Sequence, residues 1–147
     1  MRITLQRVSR ASCRVDGAIT GEIGPGLLAL VGFTKGDDAS LLPLAARKCL
    51  ELRIFPDAQG KLNLSLQDIQ GSILLISQFT LYANCSRGRR PDFTHAAEPA
   101  IAKALYEELI QEFERQGFPP QTGVFGADMQ LSLVNEGPIT INLEWTN

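Results

Sequence analysis

The stretch Ala11-Ser12-Cys13-Arg14-Val15-Asp16-Gly17-Ala18-Ile19-Thr20-Gly21-Glu22-Ile23 decides the fold class. Ala11, Cys13 and Val15 alternate with Ser12, Arg14 and Asp16, and Ile19, Gly21 and Ile23 alternate with Thr20 and Glu22. A period of two sends successive side chains to opposite faces of a strand. Asp16-Gly17 between the two runs is a two-residue hairpin signal, because glycine accepts the positive φ of such turns. Gly24-Pro25-Gly26 then interrupts the chain, and the apolar run from Leu27 to Phe33 suits a central strand. The first 33 residues therefore predict an antiparallel meander.

Two helices follow from the other periodicity. Leu41, Leu44, Ala45, Cys49 and Leu52 recur mostly at three- and four-residue intervals behind caps at Asp38 or Ser40. Ile101, Leu105, Leu109 and Phe113 form a stripe opened by Pro99 and closed by Gly117, with Glu107, Glu108, Glu112 and Glu114 on a solvated face. Ile73 to Phe79 reads as another buried strand. Met129, Leu131 and Leu133, then Ile139, Ile141, Leu143 and Trp145, read as two strands joined tightly through Asn135-Glu136-Gly137-Pro138. The layout predicts one α+β domain over residues 1–147.

Composition narrows the function classes. The chain has 147 residues, 44% hydrophobic and 20% charged, as an ordinary globular protein does. No apolar run approaches the roughly 20 residues that span a bilayer, and the first residues lack a signal-peptide core, so a cytoplasmic protein without membrane partners is expected. Cys13, Cys49 and Cys85 are far apart, and neither a disulfide framework nor a metal site is expected. Cys13 and Cys49 read as buried and Cys85 as exposed. Net charge is −2, yet Arg2, Arg7, Arg10 and Arg14 form an acid-free start, and Arg87-Gly88-Arg89-Arg90 forms a second basic group. Such groups suit phosphates or simply solvent.

His95 is the only histidine, so a serine or cysteine hydrolase with a histidine base has to use it. No motif surrounds it, and a structural histidine is the expected reading. Two segments carry more chemistry than local structure requires. In Ser77-Gln78-Phe79-Thr80-Leu81 a buried strand ends in hydroxyls and an amide, which either satisfy one another or face a cleft. In Asn135-Glu136-Gly137-Pro138-Ile139-Thr140 the Gly-Pro serves as turn chemistry or as a place for a cis peptide.

The chain resembles the D-aminoacyl-tRNA deacylase family from end to end. The resemblance runs through Gln6-Arg7-Val8, Arg10-Ala11-Ser12, Gly21-Glu22-Ile23-Gly24, Gly26-Leu27-Leu28, Arg53-Ile54-Phe55 and Ser77-Gln78-Phe79-Thr80-Leu81. It continues through Arg87-Gly88, Arg90-Pro91, Gln121-Thr122-Gly123, Phe125-Gly126-Ala127-Asp128-Met129, Leu133-Val134-Asn135 and Gly137-Pro138. Val124 departs from it, since the family more often carries arginine there.

The resemblance implies a deacylase-type fold, mainly antiparallel and barrel-like with two main helices. It implies a homodimer with active sites at the interface, each combining Ser77, Gln78, Phe79 and Thr80 of one chain with a cis Gly137-Pro138 of the other. The substrate implied is the aminoacylated 3′ end of tRNA carrying a D-amino acid or glycine, with L-amino acids rejected and no cofactor. Thr80, with Ser77 behind it, is one nucleophile candidate. Direct attack by water, with backbone N–H groups around Phe79 and Thr80 holding the oxyanion and the RNA 2′-hydroxyl assisting, is the other reading. Phe79 and Phe125 are candidates for flanking the base or the aminoacyl group, with core packing the alternative for Phe79. Met129 and Asn135 complete the expected substrate-binding set.

Overall fold

Strand β1 (Arg2–Val15) is the spine of the molecule, whose computed structural model describes residues 1–146. Along one edge lie β2 (Ala18–Ile23) and β3 (Gly26–Gly32), with Ala11 paired to Ile23 and Val8 to Gly26. The two strands are thus one bent arm in a single register, and the expected meander is instead a long hairpin. Pro25 has no N–H for the ladder, so the arm bends at Gly24-Pro25 while remaining on the same partner.

Along the other edge of β1 runs β8 (Gln130–Glu144), from Arg14 opposite Gln130 to Arg2 opposite Glu144. This corrects the expectation of two strands joined by a tight turn. The chain keeps its direction, and Asn135 to Ile139 bulge from it beside Arg7. Both edges of β1 are interrupted at the same level, and there β1 changes the face it presents. Ile3 and Leu5 pack with the helices, whereas Val8, Ala11 and Cys13 enter a second apolar cluster.

Beyond β3 the sheet continues with parallel neighbours β6 (Ser72–Ser77) and β7 (Gln121–Thr122). β3 and β6 are buried on both faces, as their unbroken apolar runs require. Leu27, Ala29, Val31, Ile73 and Leu75 meet α1 (Leu42–Glu51) and α2 (Pro99–Arg115), and Leu28, Leu74 and Ile76 join the second cluster. The sheet curls until β2 meets β7. A Cβ on Gly21 would stand 2.6 Å from the Thr122 carbonyl oxygen, so glycine permits this near-barrel closure. A short hairpin, β4 (Phe55–Pro56) and β5 (Leu62–Leu64), lies apart.

Helix caps and faces refine the sequence reading. Asp38 caps a 3-10 turn (Ala39–Leu41) through Ser40, and α1 follows that turn. Leu42, Ala45, Ala46 and Cys49 form its buried face, leaving Leu44 exposed. In α2 Leu105, Leu109 and Phe113 are buried and Ile101 is exposed. At about 100° per residue, four-residue steps drift about 40° each, so Ile101 points roughly 120° away from Phe113. Glu112 is also a correction, being buried and bonded to Arg115 Nη2 and Gln116 Nε2, each at 2.6 Å. Those contacts, Gln116 first, hold its carboxyl below the usual range. Cys13 and Cys49 are buried and Cys85 is exposed. Among the described residues no helix is long and apolar enough to cross a membrane.

Candidate active site

The site begins where β6 stops. Ser77 pairs with Val31, and the Gln78 N–H donates to the Val31 carbonyl at 2.6 Å. The chain then turns into a 3-10 segment, Phe79–Tyr82. Gly32 makes this fold-back possible, because a Cβ there would stand 2.7 Å from the Gln78 carbonyl oxygen. Gly32 lies inside the apolar run from Leu27 to Phe33, where a glycine within a strand signals close backbone approach. Gln78 Nε2 donates to Thr80 Oγ1 at 2.5 Å. The N–H groups of Phe79 and Thr80 open the turn, where no acceptor exists within it. The strand end thus presents an amide, a hydroxyl and two backbone donors without an acceptor in the turn.

Beside it is a cavity of about 480 Å³. Ser77, Gln78, Phe79, Phe125 and Met129 all line it, which brings five of the expected residues together. Phe79 is 56% exposed and meets Phe93 edge-on at 5.1 Å, so it is not a core residue. Phe125 is half-buried against Tyr106 at 5.9 Å. The Tyr106 hydroxyl donates to the Leu75 carbonyl at 2.7 Å, and burial pushes its pKa well above the ordinary phenol value. Met129 fills space left by Gly123, where a Cβ would stand 2.5 Å from its sulfur. Ala96, Ala97, Pro99 and Ala102 complete one wall. No local pattern marks these four, since small apolar residues at a helix start have many uses.

Candidate bases and metals find no support in the geometry. His95 lines a different cavity, and its imidazole makes no hydrogen bond to Ser77 or Thr80. Among the described residues no group of three His, Cys, Asp or Glu side chains is placed to hold a metal. Nor is the first arginine group uniformly free. Arg2 donates to Glu144 and to the Leu81 carbonyl, Arg7 to the Glu136 and Ile54 carbonyls, and Arg14 to the Gly17 carbonyl. Arg87, Arg89 and Arg90 are exposed.

Gly137 and Pro138 lie elsewhere. Their peptide bond is cis, both residues are exposed, and Gly137 has φ of +125°. Asn135 spans the bulge, its Oδ1 accepting from the Ile139 N–H at 3.0 Å and its Nδ2 donating to Thr140 at 3.1 Å. Register gives the separation from Ser77. Ser77 is level with Val31, Ile3 and Leu143, whereas the bulge is level with Arg7. Four residues along and three strands across amount to roughly 20 Å. One chain therefore cannot bring Gly137-Pro138 and Ser77 into a single pocket.

Residues 4–144 match the family described as D-Tyr-tRNA(Tyr) deacylase, so the chain is an enzyme of the hydrolase class. D-aminoacyl-tRNA deacylases of Lactobacillus acidophilus and Deinococcus radiodurans are 50% and 52% identical over 144 residues, covering 98% of this chain and 99% of each relative. The chain belongs to this deacylase family. Among solved structures, the c-Myc DNA Unwinding Element Binding Protein has a TM-score of 0.93 at 37% identity, with both chains covered completely. A structure described as "a probable eukaryotic D-amino acid tRNA deacylase" has a TM-score of 0.81 at 19% identity, with 97% of each chain covered, and shares the fold.

Proposed function

We propose that the whole chain, residues 1–147, acts in the cytoplasm as one deacylase domain that hydrolyses the ester of D-aminoacyl-tRNA and of mischarged glycyl-tRNA. The carrying observation is the Ser77–Thr80 strand end, which offers donors beside an apolar cavity without a histidine base. Water adds to the ester carbonyl, and the N–H groups of Phe79 and Thr80 hold the oxyanion as it forms. Collapse breaks the bond to the ribose 3′-oxygen, releasing the amino acid and tRNA. The neighbouring 2′-hydroxyl orients the water, and Gln78 and Thr80 position groups rather than react. Phe125 and Met129 line the aminoacyl or adenosine side.

Handedness is judged by main chain. Attractive contacts of one methylene discriminate by only about 1–3 kcal/mol and would tie the enzyme to particular side chains. A wall at the α-carbon rejects every L side chain and accepts any D side chain or none. Gly137-Pro138, braced by Asn135 and Arg7, supplies such a wall. Its separation from Ser77 within one chain makes the partner of a homodimer its source. The 15-residue edge strand β8 offers a surface for that partner.

Incubation with D-Tyr-tRNA, L-Tyr-tRNA and Gly-tRNA tests this reading. The D and glycyl esters are expected to disappear and the L ester to persist. Protection of all three would mark a binding protein. Cleavage of simple esters without RNA, through a trapped acyl-Thr80, would mark a general esterase.

A further inference from the structure

A second cavity, about 360 Å³ and polar, adjoins the first and is lined by Arg2, Thr34, Tyr82, Ala83, Asn84 and His95. The partition is thin. Thr34 and Ala96 form a bridge, the Thr34 hydroxyl donates to the His95 carbonyl at 2.6 Å, and Ala97 N–H donates to the Phe33 carbonyl at 3.0 Å. Phe33, Ala96 and Ala97 face the first cavity, and Thr34 and His95 face the second. The 3-10 turn also borders both, with Phe79 at one and Tyr82 at the other. At about 2 Å of rise per residue these are roughly 6 Å apart, the reach of about one nucleotide.

Arg2 is held ready in this cavity. Its Nε donates to Glu144 at 2.9 Å, its Nη1 to the Leu81 carbonyl at 2.8 Å, and its guanidinium lies 4.5 Å from the centre of the Tyr82 ring. Two of its five N–H donors are thereby used, and the planar fork keeps the rest in a fixed orientation. Each nearby acid already has a partner: Glu144 accepts from Arg2 itself, Asp37 pairs with the Met1 ammonium and accepts from the Thr34 N–H, and Asp92 accepts from Thr94. Asn84 and Asp92 exchange backbone bonds of 2.7 and 3.0 Å, which close the loop carrying Arg87, Arg89 and Arg90 next to this cavity.

We propose that this second cavity is the subsite for the phosphodiester immediately 5′ of the terminal adenosine. Arg2 donates to the phosphate, Asn84 and His95 contact its oxygens or the adjoining ribose, and the arginine loop follows the strand outward. The assignment rests on the deacylase reading and adds to it the path of the RNA.

The test compares two substrates, D-Tyr-tRNA and D-tyrosyl-adenosine, which lacks that phosphate. Wild type is expected to cleave both. Arg2→Gln and His95→Ala are expected to lose about tenfold in kcat/KM on D-Tyr-tRNA, as for one charge-assisted hydrogen bond, and nothing on D-tyrosyl-adenosine. For Arg2→Gln the slope of log KM against log salt should also shrink by about 0.7, the value for one single-stranded phosphate. His95→Ala leaves the packed ion pair intact and guards against a folding defect in Arg2→Gln. Equal losses on both substrates, or no loss on either, would overturn the subsite while leaving the deacylase reading standing. Failure of wild type to cleave either would remove both.

Discussion

Replacing Gly137 with alanine tests the proposed chiral wall most directly. A Cβ there would stand 2.9 Å from Ile139 Cγ1 and 3.1 Å from Arg7 Nη2 and from the Ile139 nitrogen. That nitrogen donates to Asn135 and the guanidinium is held by two carbonyls, so neither yields freely. The φ of +125° belongs to glycine's range, and an alanine held there costs about 1–3 kcal/mol. In a chain of this size the expected fall in Tm is roughly 3–10 °C. Relief by a shift of the bulge moves the wall, and misplacement of about 1 Å at a reacting centre costs on the order of 10²-fold. Turnover of D-Tyr-tRNA should therefore drop by roughly 10- to 100-fold. The matched control is Gly17→Ala, at φ +80° with nothing within 4 Å of its Cβ. It should lower Tm by a comparable amount and leave turnover within about twofold. Tm by calorimetry and single-turnover deacylation on both esters measure the pair. Wild-type turnover and L rejection in Gly137→Ala, with Tm lowered as in the control, would refute the wall.

Thr80→Ala should lower kcat roughly 5- to 150-fold, the loss of a positioning hydrogen bond worth about 1–3 kcal/mol; a loss near 10⁶ would make Thr80 the nucleophile. Gly123→Ala sets a Cβ 2.5 Å from the Met129 sulfur and 3.0 Å from buried Ile76, so KM for the D ester should change several-fold and Tm, read by thermal melt, should fall by roughly 3–10 °C; an unchanged KM would free Met129 of any role in the cavity. Glu112 has a depressed carboxyl pKa in the folded chain, so its stabilisation is full above its unfolded value of about 4.3 and lost as pH falls through the folded value. Glu112→Gln should therefore be less stable than wild type in urea at pH 7, with the gap closing toward pH 3; a gap independent of pH would contradict the sign.

The Gly137-Pro138 bulge and the β6 end illustrate how far the sequence reached. Period-two alternation in residues 11–23 and the apolar runs at Leu27 and Ile73 specified strands, because a strand's two faces are written in adjacent residues. The motif around Ser77–Thr80 placed hydroxyls and an amide at a strand end for the same local reason. Whether Asn135–Pro138 reversed the chain or bulged from it was not written locally. A glycine and a proline serve either geometry, and the choice depends on β1 continuing alongside. Ala96, Ala97 and Ala102 became a cavity wall because α2 docks beside β3, not through any property of alanine.

Local patterning by itself determined the main strands and both helices, the buried cysteines, the α+β class and the residues with chemistry to offer. The tertiary structure alone decided that β2 and β3 are one arm, that His95 faces a different cavity from Ser77, and that Gly137-Pro138 sits roughly 20 Å from Ser77 of its own chain. The division has a physical origin. Side-chain direction within a strand or helix repeats over two to four residues, whereas which strands become neighbours is set by burial of distant segments against one another.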